Sequence, residues 1–264
     1  MATQYTSRTD RVRILILLEK KPSLSTEEFQ EYFLNVHSKI FAKFAEGKEG
    51  LIKYEQLHVN QEEKALLKDM GQPVPDYDGA LLLDFESFES FEALFSSPEY
   101  ISIVGSDMDR FVHTTTALVL RLNIVPIINP EEHVPKSSLN QIRKDRVAIL
   151  FVFTRKEGMS LKEMKKHWFS HANLVCNETR MGKEVIKYEQ LHPATDSPIK
   201  RLDASSSTDV PDWDGFGLFH APSFATFRHP EDGQALVEDC VKFQAPGKSL
   251  ALPVNVATII DNSP

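Results

Sequence analysis

His37 lies eight residues after Phe29 and four after Phe33, the spacing of one helix face. His171 takes the corresponding place in His167-Trp168-Phe169-Ser170-His171. An inward histidine is either a satisfied core residue or a proton shuttle, since its pKa near 6.5 lets it gain or lose a proton at neutral pH. Its presence twice weights the two readings equally. A further histidine, His58, ends I-K-Y-E-Q-L-H at 52–58, and the same heptapeptide returns at 186–192, ending in His192. In a strand, Ile52, Tyr54, Gln56 and His58 share one face and Lys53, Glu55 and Leu57 the other. The polar face is a contact between sheets, a solvated rim or a substrate wall. As a wall it would present Tyr54, Gln56, Tyr188 and His192, with Phe33 beside them.

Pro75-Asp76-Tyr77-Asp78-Gly79 and Pro211-Asp212-Trp213-Asp214-Gly215 read first as turns. As functional residues, Asp78 or Asp214 would accept a hydrogen bond from a histidine and raise its basicity. Tyr77 and Trp213 would then line the pocket. His167 and His171 have the i, i+4 spacing of metal ligands. No glutamate follows His167, no third ligand is evident and the first half has no such pair, so no metal site is expected. The sequence has no glycine-rich phosphate loop, no Gly-x-Ser-x-Gly elbow and no Cys–His signature. Cys176 reads as packing.

The elements that must position these residues come in two copies. Arg11-Val12 matches Arg146-Val147, displaced by 135 (11 to 146), and His37 matches His171, displaced by 134 (37 to 171). The Pro-Asp-aromatic-Asp-Gly motifs are displaced by 136 (75 to 211). Such drift is what small loop insertions produce, and the repeat defines the organisation. The expected units are 1–135 and 136–264, with Asn129–Lys144 as linker. In the first, Arg11–Leu18 reads as a buried strand. Ser25 and Glu28 form a capping box opening a helix, as do Ser160 and Glu163 in the second. Leu51–Val59 reads as a strand followed by a polar loop, Gly79–Phe85 as a third strand, Ser87–Phe95 as an amphipathic helix and Thr115–Ile128 as a fourth strand. The order β-α-β-β-α-β is ferredoxin-like. Such a sheet has helices on one face and must cover the other. The fold class is therefore α+β: two tandem ferredoxin-like units packed sheet to sheet as a pseudo-dimeric α+β barrel. Whether two such chains pair further into a homodimer stays open.

With 264 residues, 41% apolar and 26% charged, the chain can bury real cores. Its net charge of −8 and lack of a basic stripe argue against nucleic acid as partner. No apolar run approaches the ~18 residues of a membrane span, and the N-terminus lacks the apolar core of a signal peptide. Two cysteines fit a reducing, cytoplasmic setting.

The helix Glu28–His37, then Tyr54-Glu55-Gln56-Leu57-His58, Tyr77-Asp78-Gly79, and Ser97-Pro98-Glu99 through Asp109-Arg110-Phe111 resemble, in that order, the EthD family of the dimeric α+β barrel superfamily. The resemblance covers nearly the whole chain, twice. It implies cofactor-free lyase or cyclase chemistry, by decarboxylation, dehydration or cyclisation, on a hydrophobic phenolic or polyketide-derived substrate. His37 would then act as base or acid, Tyr54 or His58 as donor to an enolate oxygen, and Asp78 as the group orienting a histidine. The alternatives are a non-catalytic barrel binding a small molecule and a cofactor-free, quinone-forming monooxygenase. The second copy departs from the pattern: its helix is one residue shorter before the histidine, and Glu238-Asp239-Cys240-Val241-Lys242-Phe243 lacks the Asp-x-x-Arg-Phe segment. The working site is accordingly expected in the first copy.

Overall fold

A computed structural model describes residues 5–129, 135–196, 199–203 and 209–263. Strand β1 spans Val12–Leu18. Helix α1 (Thr26–Tyr32) continues through a π-helical turn, Phe33–His37, into α2 (Ser38–Ala45). There follow β2 (Leu51–Val59), α3 (Gln61–Asp69), β3 (Gly79–Phe85) and α4 (Phe88–Phe95). Then come α5 (Pro98–Tyr100), a second π-helical turn (Ile101–Gly105), α6 (Ser106–Phe111) and β4 (Leu118–Ile128). The second copy runs through β5 (Ile142–Arg155), α7 (Leu161–Glu178), α8 (Arg180–Glu184) and β6 (Lys187–Pro193). It ends with β7 (Lys200–Arg201), β8 (Gly215–Ala221), α9 (Pro230–Cys240) and β9 (Gln244–Asp261).

Each copy builds a four-stranded antiparallel sheet, β4-β1-β3-β2 and β9-β5-β8-β6. The free edges of one sheet pair with those of the other. β2 pairs with β9, with Leu57 opposite Val256, and β4 pairs with β6, with Ile124 opposite Leu191. The two sheets thus cover each other by closing into one eight-stranded barrel, with every strand of the barrel paired on both sides. Alternation does the rest. Leu15, Leu57, Leu82, Leu122, Leu150, Leu191, Leu218 and Val254 come from all eight strands and share one core cluster, the barrel interior. The opposite faces of the strands carry the helices.

One end of the interior is aromatic and the other is charged. Tyr77 meets Trp213 edge to face with ring centres 6.4 Å apart. At the far end Arg13 forks onto Asp84 at 2.6 and 2.9 Å and also reaches Glu189 of the other copy. Lys53 pairs with Glu55 at 3.0 Å and Lys187 with Glu189 at 3.2 Å. Thr258 donates to Glu55 at 3.1 Å, again across the copies. The cations outweigh the burial that would otherwise raise Glu55 and Glu189, and hold both well below the usual carboxylate range.

Two expectations about elements change. The polar stretch after β2 is the helix α3, with Asn60 accepting from Glu63 N at its start and acidic residues in its first turn. The expected linker is shorter, because β5 already begins at Ile142; its residues 130–134 lie outside the described residues. The residue by which the first copy exceeds the second before the histidine is absorbed as the π-helical turn Phe33–His37. A π turn is how a helix accommodates one extra residue without losing its downstream face. Among the described residues, no helix is long and apolar enough to cross a membrane.

Candidate functional site

His37 and His171 occupy matching places, and each is fixed by an aspartate. His37 Nδ1 lies 2.8 Å from Asp107 Oδ2, and His171 Nδ1 lies 2.8 Å from Asp239 Oδ2. The aspartates come from α6 and α9. The sequence reading gave this role to Asp78 or Asp214, which sit elsewhere. Asp78 accepts from Lys20 N at 3.0 Å, and Asp214 accepts from Arg155 N at 2.8 Å and pairs with the Arg155 guanidinium. The signal was present in the repeat: Asp107-Met108-Asp109-Arg110-Phe111 aligns with Asp239-Cys240-Val241-Lys242-Phe243. The second copy keeps the segment with lysine for arginine, and its Asp239 and Phe243 take the same places.

The glutamine of each heptapeptide faces the helices, not the barrel interior. Gln56 Nε2 donates to Phe33 O at 2.8 Å and to Tyr54 Oη at 2.9 Å. Gln190 Nε2 donates to Trp168 O at 2.9 Å and to Tyr188 Oη at 3.1 Å. These bonds tie the strand to the turn of helix that carries the histidine, a shared constraint that accounts for the polar residues of the motif. His58 hydrogen-bonds Gln56 Oε1 at 3.0 Å, whereas neither ring nitrogen of His192 has a partner among the described residues. Burial lowers both to about 3, so both are neutral at physiological pH. Burial likewise raises the Tyr54 and Tyr188 hydroxyls above the ordinary phenol value. Tyr77 and Trp213 close the barrel end and are not among the residues lining the cavity described below.

The copies differ in what surrounds the histidine. In the first, Phe33, Phe41 and Phe111 stand 5.1 to 6.4 Å from the His37 ring, which is 1% exposed, and its Nε2 has no partner among the described residues. In the second, a cavity of about 590 Å³ opens between sheet and helices, lined by His171, Tyr188, Trp168, Phe219 and Cys240. That volume is in the range of small-molecule sites. Its origin lies in the strands. Gly217 stands opposite Phe151 where the first copy has Leu81 opposite Ile16, and Ala251 stands opposite Phe151 where the first copy has Val119. Both small residues line the cavity. In the first copy aromatic side chains pack around the histidine, and the cavity described here lies in the second.

Within the cavity, burial lowers the His171 pKa against the pull of Asp239. Burial alone would raise Asp239, but hydrogen bonds from Lys242 and His171 hold it below its ordinary value. With Asp239 as a carboxylate, the contact suits an imidazole that donates from Nδ1 and keeps its lone pair at Nε2. Cys240, which the sequence reading did not single out, places Sγ 3.8 Å from His171 Nε2. The lining takes in α3 from the first copy, through Leu67 and the neighbouring Met70, and Glu63 pairs with Arg228. His167 is exposed while His171 is buried, so the two do not face one site. Among the described residues no group of three or more His, Cys, Asp or Glu side chains is disposed to hold a metal ion.

Residues 21–115 match the EthD domain. The chain is 28% identical to the dehydratase ustZ of Ustilaginoidea virens, over 38% of this chain and 73% of that protein. It is 26% identical to the dehydratase aurZ of Gibberella zeae, over 47% and 84%. It is also 26% identical to the conidial pigment biosynthesis dehydratase EthD of Metarhizium robertsii, over 36% and 70%. The crystal structure of an anthrone oxidase-like protein superposes with a TM-score of 0.62 over 98% of both chains at 9% identity, a likeness of fold alone. The EthD match thus falls within the first copy of this chain, and the two copies together close one eight-stranded α+β barrel.

Proposed function

We propose that the chain is a lyase of the dehydratase type, removing water from a hydrophobic, polyketide-derived β-hydroxy carbonyl compound in the cavity of the second copy. The observation that carries this reading is His171, held by Asp239 at 2.8 Å, on the wall of a cavity of about 590 Å³. The dehydratase names of the relatives favour loss of water over decarboxylation or cyclisation.

The carbon between a carbonyl and a hydroxyl-bearing carbon holds a weakly acidic hydrogen. His171 Nε2 takes that proton, and Asp239 stabilises the imidazolium that forms. The electron pair moves onto the carbonyl oxygen as an enolate. Tyr188 lines the same cavity, and its hydroxyl accepts from Gln190 and keeps its own hydrogen to give to that oxygen. The enolate collapses, the β-hydroxyl departs, and the imidazolium returns its proton to make water. In a ring system the new double bond contributes to aromatic character, which drives the step. General acid–base help of this kind is worth ~10²–10⁴ in rate, and the dry wall strengthens the enolate contact.

The test is turnover of a panel of hydroxylated polyketide lactones and tetralones by the purified protein, followed by mass spectrometry with oxygen uptake recorded. Products lighter by one water, absent with His171→Ala, support the reading. Products that gain oxygen, or turnover that survives His171→Ala and stops with His37→Ala, overturn it.

A further inference from the structure

The repeat keeps Asp107 as Asp239, His37 as His171 and Phe111 as Phe243, yet replaces Met108 by Cys240. That change falls in the copy where the space beside the histidine is open. Cys240 and His171 both line the cavity, with Sγ 3.8 Å from Nε2, while Nδ1 of the same ring is held by Asp239 at 2.8 Å. Nucleophile, base and orienting carboxylate therefore stand in sequence, the arrangement by which a neutral thiol is activated without a free thiolate. The first copy cannot do this, because Met108 has no proton to give and accepts a contact from Tyr100 at 3.8 Å. The other cysteine, Cys176, lies beside Tyr5 and is not among the cavity-lining residues.

We propose that Cys240 is a covalent capture site for flat, apolar α,β-unsaturated carbonyl compounds. The thiol S–H bond breaks as His171 Nε2 takes the proton, and an S–C bond forms at the β-carbon. The carbon–carbon double-bond pair moves through the α-carbon to the carbonyl oxygen as an enolate. The imidazolium then returns the proton to the α-carbon, giving a saturated thioether with no oxidant or reductant required. Burial pushes the thiol up to about 12, so the free cysteine is protonated and slow with small reagents in bulk water. Selectivity comes from ligands that fill the cavity. The lining suits them: Phe219 stacks on Tyr188 at 3.9 Å, and Gly217 adds no side chain to the wall. The capture does not require that the chain dehydrate anything, although an enone is what dehydration of a β-hydroxy ketone leaves in this place.

Chalcone is a suitable probe, with intact-mass and peptide mapping of wild type, Cys176→Ser, Cys240→Met, His171→Gln and Asp239→Asn. One adduct per chain on Cys240 is expected, unchanged in Cys176→Ser and absent in Cys240→Met, the residue of the first copy. The rate should fall at least about tenfold in His171→Gln and in Asp239→Asn. Melting temperatures recorded alongside show that the variants remain folded, and either base variant alone suffices if the other does not fold. Modification of Cys240 no faster than that of Cys176, or a rate indifferent to His171, overturns the proposal. Adduct without dehydration leaves the capture site standing and removes the lyase; dehydration without adduct does the reverse.

Discussion

Asp239 and His171 lie 68 positions apart in the chain and meet at 2.8 Å, on helices α9 and α7 that pack on the outer face of one sheet. The carboxylate receives the Nδ1 hydrogen, so the lone pair of the ring is presented at Nε2. Asp107 holds His37 in the same way at 2.8 Å, and there Phe33, Phe41 and Phe111 surround the ring. The same pair of residues borders a cavity in one copy and is packed among phenylalanines in the other.

Activity should follow this division. Asp239→Asn is expected to lower dehydration by roughly 10²–10⁴, with His171→Ala at least as severe. Asp107→Asn should leave turnover within a few-fold while lowering the melting temperature. Steady-state rates on the same substrate, with melting curves for each variant, make the comparison.

The acid limb of the rate profile follows from burial of His171. Its pKa lies below the ordinary histidine value, so the free base persists at mildly acid pH. The profile of kcat/KM should therefore bend below about pH 6.5 and fall further as the ring protonates. A bend well above that pH would assign the limb to another group.

Stability should also fall with acid, with a sign that can be worked out. His58, His192 and His220 are held at about 3 in the folded chain, and an unfolded histidine titrates near 6.5. Below about pH 6.5 the unfolded state binds protons that the native state refuses, so the unfolding free energy drops as pH falls towards 3. Each ring then costs roughly 1–2 kcal/mol by one pH unit below its unfolded value. His192 is the clean case, since its nitrogens have no partner among the described residues and Trp168 lies 4.5 Å away. His192→Phe should flatten the fall in melting temperature between pH 7.5 and 5.5.

The cavity should close when the strand regains the volume of the first copy. A Cβ added at Gly217 would stand 3.0 Å from the Phe219 ring edge, close enough that the ring must give slightly. Gly217→Ala should fold and bind ligand more weakly. Gly217→Leu, the residue at position 81, should abolish binding of planar aromatics, read by calorimetry, with the circular dichroism spectrum retained.

The charged end of the barrel ties the copies together. Arg13 serves Asp84 and Glu189 at once. Glu189→Gln should cost roughly 3–5 kcal/mol in chemical denaturation by leaving buried cations short of a partner. Arg13→Met paired with Asp84→Leu and Glu189→Leu should recover much of that loss.

Much of the scaffold was legible because it rests on local rules. Leu51–Val59 and Gly79–Phe85 are strands with the bounds their β-favouring runs suggest, and Ser25 and Ser160 cap helices as their spacing requires. The helix Gln61–Asp69 was not, because its charge pattern reads as solvated loop until Asn60 and the neighbouring cavity give it a cap and a surface. The histidines were legible by type and spacing. Their aspartates were hidden by reading Lys242 for Arg110 as a loss of motif, though the hydrogen-bonding residue lay three positions before. The place of the cavity was least accessible. It depends on the difference between Leu81 and Gly217, each of which is ordinary in a buried strand.

The pairing of β2 with β9 and of β4 with β6 means that neither half can close its sheet without the other. In a symmetric dimer of identical chains, every substitution is written into both pockets at once. Joining the halves in one chain lifts that constraint. One pocket can be filled with phenylalanine and spent on rigidity, and the other can lose side chains and tolerate the resulting hollow. The geometry that holds the barrel shut is also what permits its two sides to age separately.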